Sequence, residues 1–220
     1  EPLQHILGYT EFMGLRFCVN EKVLCPRQDT ECLVELVQSR LKANDRILDL
    51  CTGSGCILIS LLSLGGKAAP AESLTGIGVD ISEDALSVAR KNGEQNKVNV
   101  KWLQGDIFGA LDALEPGERS FDVITANPPY IPHEAIWGIM PEVRDHEPHI
   151  ALDGGEHGLD FYERIIPNAK DYLTDGGMLA VEIGYDQGTA VKQIFEAGGY
   201  RDIEIHKDLS GNDRDIVGIK

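Results

Sequence analysis

The sequence predicts an α/β fold in which helices cover both faces of a mostly parallel sheet. Short apolar runs of strand length alternate with helical segments along most of the chain, and such alternation builds a doubly wound sheet. A Gly-rich turn joins one of these strands directly to a helix, as in nucleotide-binding α/β units. Only a short polar turn separates the last two strands, so we expect a hairpin that adds one antiparallel strand.

Local patterns place the individual elements. In the first part of the chain we expect a β-hairpin near 12–24, a helix near 29–41, a strand at 46–50, a helix at 56–64, a strand at 74–80, a helix at 83–96 and strands at 98–103 and 121–126. Helix 83–96 has the clearest signals, since Ser82 is a good N-cap and Ala85, Leu86 and Ala89 form its apolar face.

The second part begins with a long irregular stretch, 131–158, which is rich in His, Pro, Gly and acids. A loop of this length in a compact domain indicates either a binding function or disorder. The elements expected after it are a helix at 159–173, a strand at 178–183, a helix at 187–197 and closing strands at 202–206 and 215–219.

The composition narrows the possible functions. The 220 residues suffice for one sizeable domain, and 36 acids against 20 bases give a formal net charge of −16. No basic run is present that could follow a phosphate backbone, which argues against a stand-alone DNA or RNA enzyme. No segment is typical of a membrane span or a signal peptide, and five cysteines without a CxxC pair suit a reducing cytoplasm.

The turn Thr52-Gly53-Ser54-Gly55 connects a buried strand to an apolar helix. Glycines allow the backbone to approach a ligand closely, and the start of the helix offers free N–H groups. The turn lacks the third glycine of a dinucleotide fingerprint, because residue 58 is Leu, and no Gly-Lys-Ser/Thr follows as in a phosphate loop. Taken alone, the turn is compatible with nucleotide binding and with a plain strand-to-helix connection.

Acids follow the next two strands. Asp80 ends the strand after the Gly-rich turn, where a carboxylate can accept both hydroxyls of a ribose. Asp106 follows the third strand and can accept from the amino group of an adenine, while Ile81 and Ile107 supply apolar faces for the ring. Taken singly, either acid can also be a helix cap or a loop acid. Because ligands of open α/β sheets bind beyond the carboxyl ends of the strands, these strand ends together favour a nucleotide-like cofactor.

The tetrapeptide Asn127-Pro128-Pro129-Tyr130 follows strand 121–126. The side-chain oxygen of Asn127 and the carbonyl of Pro128 are two convergent acceptors, which suit a planar NH2 group with two donors. The prolines hold these acceptors on rigid backbone. The motif predicts a site that grips an amide or an aromatic amine, although Asn-Pro and Pro-Pro are also ordinary turn residues.

Together these residues resemble the S-adenosylmethionine-dependent methyltransferases that modify amino groups. Over residues 1–220 the resemblance narrows to the peptide chain release factor N5-glutamine methyltransferases, the PrmC/HemK family. The segments that carry it are 1–8 (EPLQHILG), 11–17 (EFMGLRF), 23–31 (VLCPRQDTE), 142–148 (EVRDHEP), 151–155 (ALDGG), 158–162 (GLDFY), 182–184 (EIG) and 207–211 (KDLSG). Segment 26–31 favours this family over the related ribosomal-protein glutamine methyltransferases. Cys51 departs from the pattern, since many members carry Gly there.

The resemblance implies a class I, Rossmann-like methyltransferase fold with a seven-stranded sheet. It divides the chain into a hairpin and linker segment, 1–28, packed on a methyltransferase domain, 29–220. Family members carry a small helical domain ahead of this region, so the chain is expected to be the catalytic portion of a longer protein. The implied cofactor is S-adenosylmethionine, with S-adenosylhomocysteine as product. The implied partners are cytoplasmic release factors, methylated on the glutamine of a Gly-Gly-Gln motif, with no direct contact to nucleic acid or membrane.

These expectations define a site. The cofactor residues are expected to be Leu24, Cys51, Thr52, Gly53, Ser54, Gly55, Asp80, Ile81, Asp106, Ile107 and Asn127. Catalysis is assigned to Asn127, Pro128 and Tyr130, with Pro129 added for substrate binding. Asn127 Oδ1 and the Pro128 carbonyl would accept the two hydrogens of the glutamine amide while Tyr130 packs on its flat face. A core aromatic beneath the turn is the second interpretation of Tyr130.

Several further residues have two interpretations. Asp49 either lies near the amino-acid end of the cofactor or anchors the Gly-rich turn. Arg27 and Glu31 either line the mouth of the cofactor site or form a structural ion pair. Cys51 and Cys56 are interpreted as small buried residues beside the turn rather than as a redox pair.

The loop 131–158 carries its own candidates. Glu142, Arg144 and Glu147 are expected to form a polar loop that meets the protein substrate. His146 and His149 have the spacing of half a metal site, but no matching cysteine or acid pattern accompanies them, and no metal is expected.

Three rival functions share part of this pattern. A nucleic-acid adenine-N6 methyltransferase would also use Asn-Pro-Pro-Tyr, because an exocyclic amine poses the same hydrogen-bonding problem. The acidity of the chain and the lack of an obvious target-recognition insertion argue against it. The second rival is methylation of a different protein glutamine, and the third is a cofactor-binding role without enzymatic activity.

Overall fold

The computed structural model, which describes residues 1–220, contains a central sheet of seven strands. The strands are β3 (Arg46–Leu50), β4 (Thr75–Asp80), β5 (Lys101–Gln104), β6 (Phe121–Ala126), β7 (Leu173–Glu182), β8 (Arg201–Lys207) and β9 (Asp213–Ile219). Their order across the sheet is β5-β4-β3-β6-β7-β9-β8, and β9 alone runs antiparallel to its neighbours. The predicted fold class, including the single antiparallel strand, is confirmed.

Helices cover both faces of this sheet. They are α1 (Leu3–Leu7), α2 (Gln28–Gln38), α3 (Cys56–Leu64), α4 (Glu83–Gln95), α5 (Pro141–Arg144), α6 (Asp160–Ala169) and α7 (Gly188–Ala197). The side chains of β3 alternate between two cores, because successive residues of a strand point to opposite faces. Ile47 packs in the core formed with α2 and α3, whereas Leu48 and Leu50 pack in the core formed with α6 and α7.

The N-terminal hairpin consists of β1 (Tyr9–Phe12) and β2 (Leu15–Cys18), so its predicted position at 12–24 is wrong. The turn is Met13-Gly14, and both residues have positive φ angles of 52° and 71°. A two-residue turn of this kind matches the twist of the strands, but Met is an unusual residue for its first position. The hairpin packs on the sheet domain through Phe12 and Phe17, which share a core with Leu33 of α2.

Several further boundaries differ from the prediction. Helix α2 ends at Gln38 rather than at residue 41, and β5 begins at Lys101 rather than at residue 98. Helix α6 ends at Ala169 rather than at residue 173, because β7 begins at Leu173 rather than at residue 178. The early part of β7 contains the Thr-Asp-Gly-Gly run that resembles a turn in the sequence. Its pairing with β6 shifts register there, since Phe121 pairs with Leu173 but Val123 pairs with Met178. Helix α4 agrees with the prediction, and Ser82 Oγ accepts from the backbone N–H of Ala85 at 3.2 Å.

The stretch 131–158 is held by backbone hydrogen bonds despite its irregular sequence. The backbone N–H of Ile131 donates to Leu152, and that of Gly154 donates back to Ile131. Short helical turns at His133–Gly138, α5 and His149–Ala151 lie between these contacts. The sequence left two interpretations of this stretch, a binding function and disorder, and these hydrogen bonds exclude disorder. No helix of the chain has the length and apolar character needed to cross a membrane.

Gly78 in β4 provides a test of the packing between neighbouring strands. A Cβ atom at this position would lie 2.4 Å from the ring of Trp102. We expect Gly78→Ala to lower the free energy of unfolding by about 1–3 kcal/mol, because the partly buried indole, which packs against the core, has to move. Urea unfolding measures this loss. Gly109→Ala is the control, since nothing lies within 4 Å of its Cβ position; equal losses in the two variants would contradict the packing argument.

Candidate active site

A cleft of about 230 Å³ opens at the carboxyl ends of β3, β4, β5 and β6. Its position follows from the topology, because parallel strands place their carboxyl ends at one edge of the sheet. The predicted site residues that line it are Leu24, Cys51, Thr52, Gly53, Ser54, Asp80, Ile81, Asp106, Ile107, Asn127 and Pro129. Gly55, Pro128 and Tyr130 do not line it. The structure therefore brings most of the predicted residues together, and their roles stay a prediction.

The Gly-rich turn forms the floor of the cleft. Gly53 and Gly55 have φ angles of 54° and 80°, in the left-handed region that favours glycine. At Gly55 a Cβ atom would also meet Ile59 and Trp102 at 2.9 Å, so this residue lies beneath the cleft as the N-cap of α3. Close packing under the turn thus explains why Gly55 does not reach the cleft itself.

Asp49 anchors the turn from below. It is fully buried and accepts from the hydroxyl of Thr52 at 2.5 Å and from that of Thr125 at 2.7 Å. Burial raises the pKa of Asp49 to about 7, although both hydroxyls stabilise its ionised form. Asp49 does not line the cleft, which favours the anchoring interpretation over contact with the cofactor.

Asp80 presents a carboxylate at the wall of the cleft. One oxygen accepts from the backbone N–H of Gly53 at 2.8 Å and the other accepts from that of Ser82 at 2.9 Å. Burial raises the pKa of Asp80, while these backbone donors oppose the shift. Each carboxylate oxygen can accept more than one hydrogen bond, so both retain capacity for a pair of hydroxyl donors.

The opposite wall combines an ion pair with apolar surface. Asp106 accepts from Arg164 Nη2 at 2.5 Å, and both residues line the cleft. Ile107 is buried with a positive φ of 49°, whereas Ile81 is about half exposed at the rim. Arg164 has no distinguishing signal in the sequence, because it is one of several charged residues on the surface of α6.

The side-chain amide of Asn127 has a fixed partner. Its Nδ2 donates to Thr30 Oγ1 at 3.3 Å, and Thr30 is almost fully buried at the start of α2. This bond occupies one donor of the amide and leaves Oδ1 as an acceptor toward the cleft. The carbonyl of Pro128, which follows directly, accepts no backbone hydrogen bond. Thr30 also lines the cleft and was not recognised as a site residue from the sequence.

Tyr130 points away from the cleft. Its hydroxyl donates to Glu182 Oε1 at 3.3 Å and its ring packs against the core formed with α6 and α7. Burial raises the pKa of the Tyr130 phenol well above its usual value. The structure therefore agrees with the core-aromatic interpretation of Tyr130.

Arg27 pairs with a residue of the loop 131–158. Its Nη2 donates to both oxygens of Glu147, at 2.7 and 2.8 Å, and the Glu147 side chain is fully buried. Glu147 was predicted to be part of a polar loop that meets the protein substrate, but its buried side chain is not available for such a contact. Glu31 does not line the cleft and accepts from the backbone N–H of Met13 at 2.6 Å. Arg27 does line the cleft, so it both forms a structural ion pair and lies at the mouth of the cofactor site.

Of the remaining loop candidates, Glu142, His146 and His149 are exposed, and Arg144 is partly buried. Arg144 pairs with the adjacent Asp145 at 2.7 Å, and Glu142 has no ion-pair partner. His149 Nε2 lies 2.9 Å from the carbonyl oxygen of Arg144. Cleft-lining residues that the sequence did not indicate include Lys22, Thr30, Ile57, Ile150, Phe161 and Arg164.

Cys51 provides a test of strain in the turn. It is a non-glycine residue with a φ of 55°, and a left-handed conformation costs an L-residue roughly 1–2 kcal/mol. We expect Cys51→Gly to raise the free energy of unfolding by up to about 1 kcal/mol, because the relief of strain exceeds the added flexibility of the unfolded chain. Urea unfolding measures the change. Cys51→Ala keeps the Cβ atom, and an equal gain in that variant would show that strain is not the cause.

Comparisons with known proteins agree with this geometry. A family profile described as "Methyltransferase domain" matches residues 41–197. The release factor glutamine methyltransferase of Geobacter sulfurreducens is 42% identical over 99% of this chain and 73% of its own length. That of Thermodesulfovibrio yellowstonii is 43% identical over 99% of this chain and 76% of its own length.

Solved structures share the fold at lower identity. A methyltransferase from Pyrococcus furiosus has a TM-score of 0.68 and 20% identity, covering 94% of this chain and 89% of that one. The E. cuniculi Mtq2–Trm112 complex, responsible for methylation of the eRF1 translation termination factor, has a TM-score of 0.61 and 23% identity, covering 90% and 99%. SMU.776, a methyltransferase complexed with SAH, has a TM-score of 0.64 and 14% identity, covering 94% and 54%. At these identities the likeness concerns the fold.

Proposed function

The chain belongs to the release factor glutamine methyltransferase family, and on that premise we propose that it methylates N5 of the glutamine in the Gly-Gly-Gln motif of a peptide chain release factor. The observation that carries the proposal is the orientation of Asn127, whose amide NH2 is engaged by Thr30 so that its oxygen is available at the edge of the cleft. A side-chain amide substrate offers the two donors that such a site requires.

The residues of the cleft fit S-adenosylmethionine. Asp80 keeps acceptor capacity for the two ribose hydroxyls, and Gly53, which lines the cleft, allows close approach of the backbone. Ile81 and Ile107 offer apolar faces for the adenine ring, and Asp106 offers an acceptor for its amino group. When bound, the cofactor supplies a methyl group activated by a sulfonium sulfur.

The role of the protein in the reaction is to hold and orient the glutamine amide. The lone pair of an amide nitrogen is delocalised into its carbonyl, so the nitrogen is a weak nucleophile. Asn127 Oδ1 and the Pro128 carbonyl accept its two hydrogens, align the nitrogen with the cleft and favour the positive charge that develops on it. Correct placement of reacting groups can lower a barrier by about 7–11 kcal/mol. No strong base is required, because the N–H becomes acidic only as the methyl group arrives.

The proposed substrate is a protein rather than a nucleic acid or a membrane component. A net charge of −16 gives the chain no electrostatic attraction for a phosphate backbone. Because release factors act on ribosomes, we place the reaction in the cytoplasm.

Peptide mass spectrometry tests the proposal. The protein is incubated with S-adenosylmethionine and a release factor, beside a release factor whose Gly-Gly-Gln glutamine is replaced by Ala. We expect one methyl group on that glutamine and none on the altered factor. Methylation of a different residue, or of an adenine-containing oligonucleotide in a parallel reaction, would contradict the proposal.

A further inference from the structure

Two buried carboxyl groups lie beneath the Asn127 site. Glu182 is the last residue of β7 and Asp215 is its direct partner on β9. Glu182 is 1% exposed and Asp215 is 0% exposed. Directly opposed residues of an antiparallel pair project to the same face with Cβ atoms about 5 Å apart. The two side chains are therefore close neighbours on one face of the sheet, inside the protein.

The pair has no cation of its own. Arg214 is the cation that opposes the rise in the pKa of both acids, and it lies 3.0 Å from Asp208 and 3.5 Å from Asp29. The titratable groups that face the pair are Arg214 on β9, Asp208 in the turn between β8 and β9, Asp29 and Cys32 on α2, Tyr130 after β6 and Tyr162 on α6. Arg214 already pairs with Asp208 and Asp29, so it does not also neutralise the carboxylates of Glu182 and Asp215.

Three oxygens of the pair lack a hydrogen-bond partner. They are Oε2 of Glu182 and both carboxyl oxygens of Asp215. A single proton held between the two carboxyl groups would satisfy one oxygen of each and remove the repulsion between two adjacent negative charges. Burial raises the pKa of both acids, and the charge of Glu182 contributes to raising that of Asp215 to about 8.

Glu182 is also linked to Asn127. Its Oε1 accepts from the hydroxyl of Tyr130 at 3.3 Å, and the hydroxyl of Thr30 stabilises its ionised form. Thr30 Oγ1 in turn accepts from Asn127 Nδ2 at 3.3 Å. A hydroxyl has one hydrogen to donate, so a Thr30 that donates to Glu182 must meet the Asn127 amide as an acceptor. With Thr30 donating in this direction, the NH2 group of Asn127 would stay toward Thr30, as its 3.3 Å contact with Thr30 Oγ1 requires, and its oxygen would stay toward the cleft.

We propose that Glu182 is a positioning residue for methyl transfer, which orients Asn127 through Thr30, and that Asp215 holds Glu182 in place by sharing one proton with it. The inference rests on the proposed function, because Asn127 Oδ1 is the acceptor for the substrate amide. It assigns a role to Thr30, which the sequence did not identify, and to a pair of acids that do not touch the substrate.

The shared proton predicts how the stability of the folded protein depends on pH. The pKa of Asp215 is higher in the folded protein than in the unfolded chain, so the folded state retains a proton that the unfolded chain releases. Stability therefore falls as the pH rises between about 4 and about 8. Asp208 has a lowered pKa, and Cys32, Tyr130 and Tyr162 have raised pKa values, so none of them produces this slope. Asp49, with a pKa of about 7, contributes its own slope, and the readout is the difference between wild type and Asp215→Asn.

Denaturant unfolding across this pH range tests the shared proton without any substrate. An asparagine can donate permanently to Glu182, so Asp215→Asn should reduce the fall of the unfolding midpoint with pH. If the pair shares a proton, we also expect wild-type kcat to fall above about pH 8, where that proton is lost, and Asp215→Asn should show less of this fall. If the variant shows the same pH dependence as wild type in both measurements, Asp215 does not share a proton with Glu182.

Steady-state kinetics with a release factor tests the positioning role. We expect Glu182→Gln and Thr30→Val to lower kcat on the order of 10–100-fold, because a slightly misplaced acceptor costs much of the rate. The affinity for S-adenosylmethionine, measured by calorimetry, should stay within a few-fold, and Thr30→Ser should restore kcat. Wild-type kcat in both variants, or a failure of Thr30→Ser to exceed Thr30→Val, would overturn the positioning role. Should wild type itself not methylate the factor, the proposed function fails, while the unfolding measurement still decides the shared proton.

Discussion

Asn127→Ala is expected to lower kcat by about 10³-fold while the dissociation constant for S-adenosylmethionine stays within a few-fold. The variant removes the side-chain oxygen that is oriented by Thr30 toward the cleft, and so removes one of two acceptors for the substrate amide. Loss of a single oriented group that stabilises developing charge costs about 10²–10³-fold in other enzymes. The weak nucleophilicity of an amide places this variant at the upper end of that range. Single-turnover methylation and calorimetry measure the two quantities.

Two further variants are compared with Asn127→Ala. Asn127→Asp retains acceptor oxygens but cannot donate to Thr30, so we expect it to remain strongly impaired. Asn168→Ala is the matched control, because Asn168 is an exposed residue of α6 that donates only to the backbone of Arg164. Near-normal methylation by Asn127→Ala would refute the mechanism.

Asp80→Ala is expected to raise the dissociation constant for S-adenosylmethionine by about 10²-fold or more. A hydrogen bond to a charged group contributes about 1.5–3 kcal/mol, and the carboxylate of Asp80 is proposed to accept two from the ribose. The variant also leaves the backbone N–H groups of Gly53 and Ser82 without their partner. At saturating cofactor we expect kcat to remain within a few-fold, which is the reverse of the pattern for Asn127→Ala.

Two control variants test whether cofactor affinity depends on the charge of Asp80 and on its position in the cleft. Asp80→Asn keeps one acceptor for the backbone, so we expect an intermediate loss of affinity. Asp175→Ala removes an exposed acid of β7 that does not line the cleft, and it should change nothing. Unchanged cofactor affinity in Asp80→Ala would show that the ribose lies elsewhere.

The sequence predicted the parts of the site that depend on local pattern. Buried parallel strands are continuous apolar runs, and the residues that follow them, such as Asp80 and Asn127, must lie at one edge of the sheet. Helix α3 was predicted from its first residue to its last, because an apolar run starts at the Gly-rich turn and ends before Gly65.

Contacts between distant segments could not be predicted in this way. Thr30 meets Asn127 across 97 residues of sequence, Arg27 meets Glu147 across 120, and Arg164 meets Asp106 across 58. In the sequence each of these residues is an ordinary polar residue of a loop or helix. The hairpin was misplaced for a local reason instead, because its turn uses Met13 where Asn or Asp is the usual signal.

The position of β6 between β3 and β7 has a consequence for folding kinetics. The acceptors of the cofactor cleft, such as Asp80, lie on the unit formed by β3, β4 and β5, which is complete by Gln104. Asn127 reaches its place only when β6 docks on β3, and that pairing closes a long loop whose entropy must be overcome first. During synthesis from the N-terminus, the part of the cleft formed by β3, β4 and β5 can therefore assemble before Asn127, the group that orients the substrate. The ability to transfer a methyl group is then acquired after this part of the cofactor site.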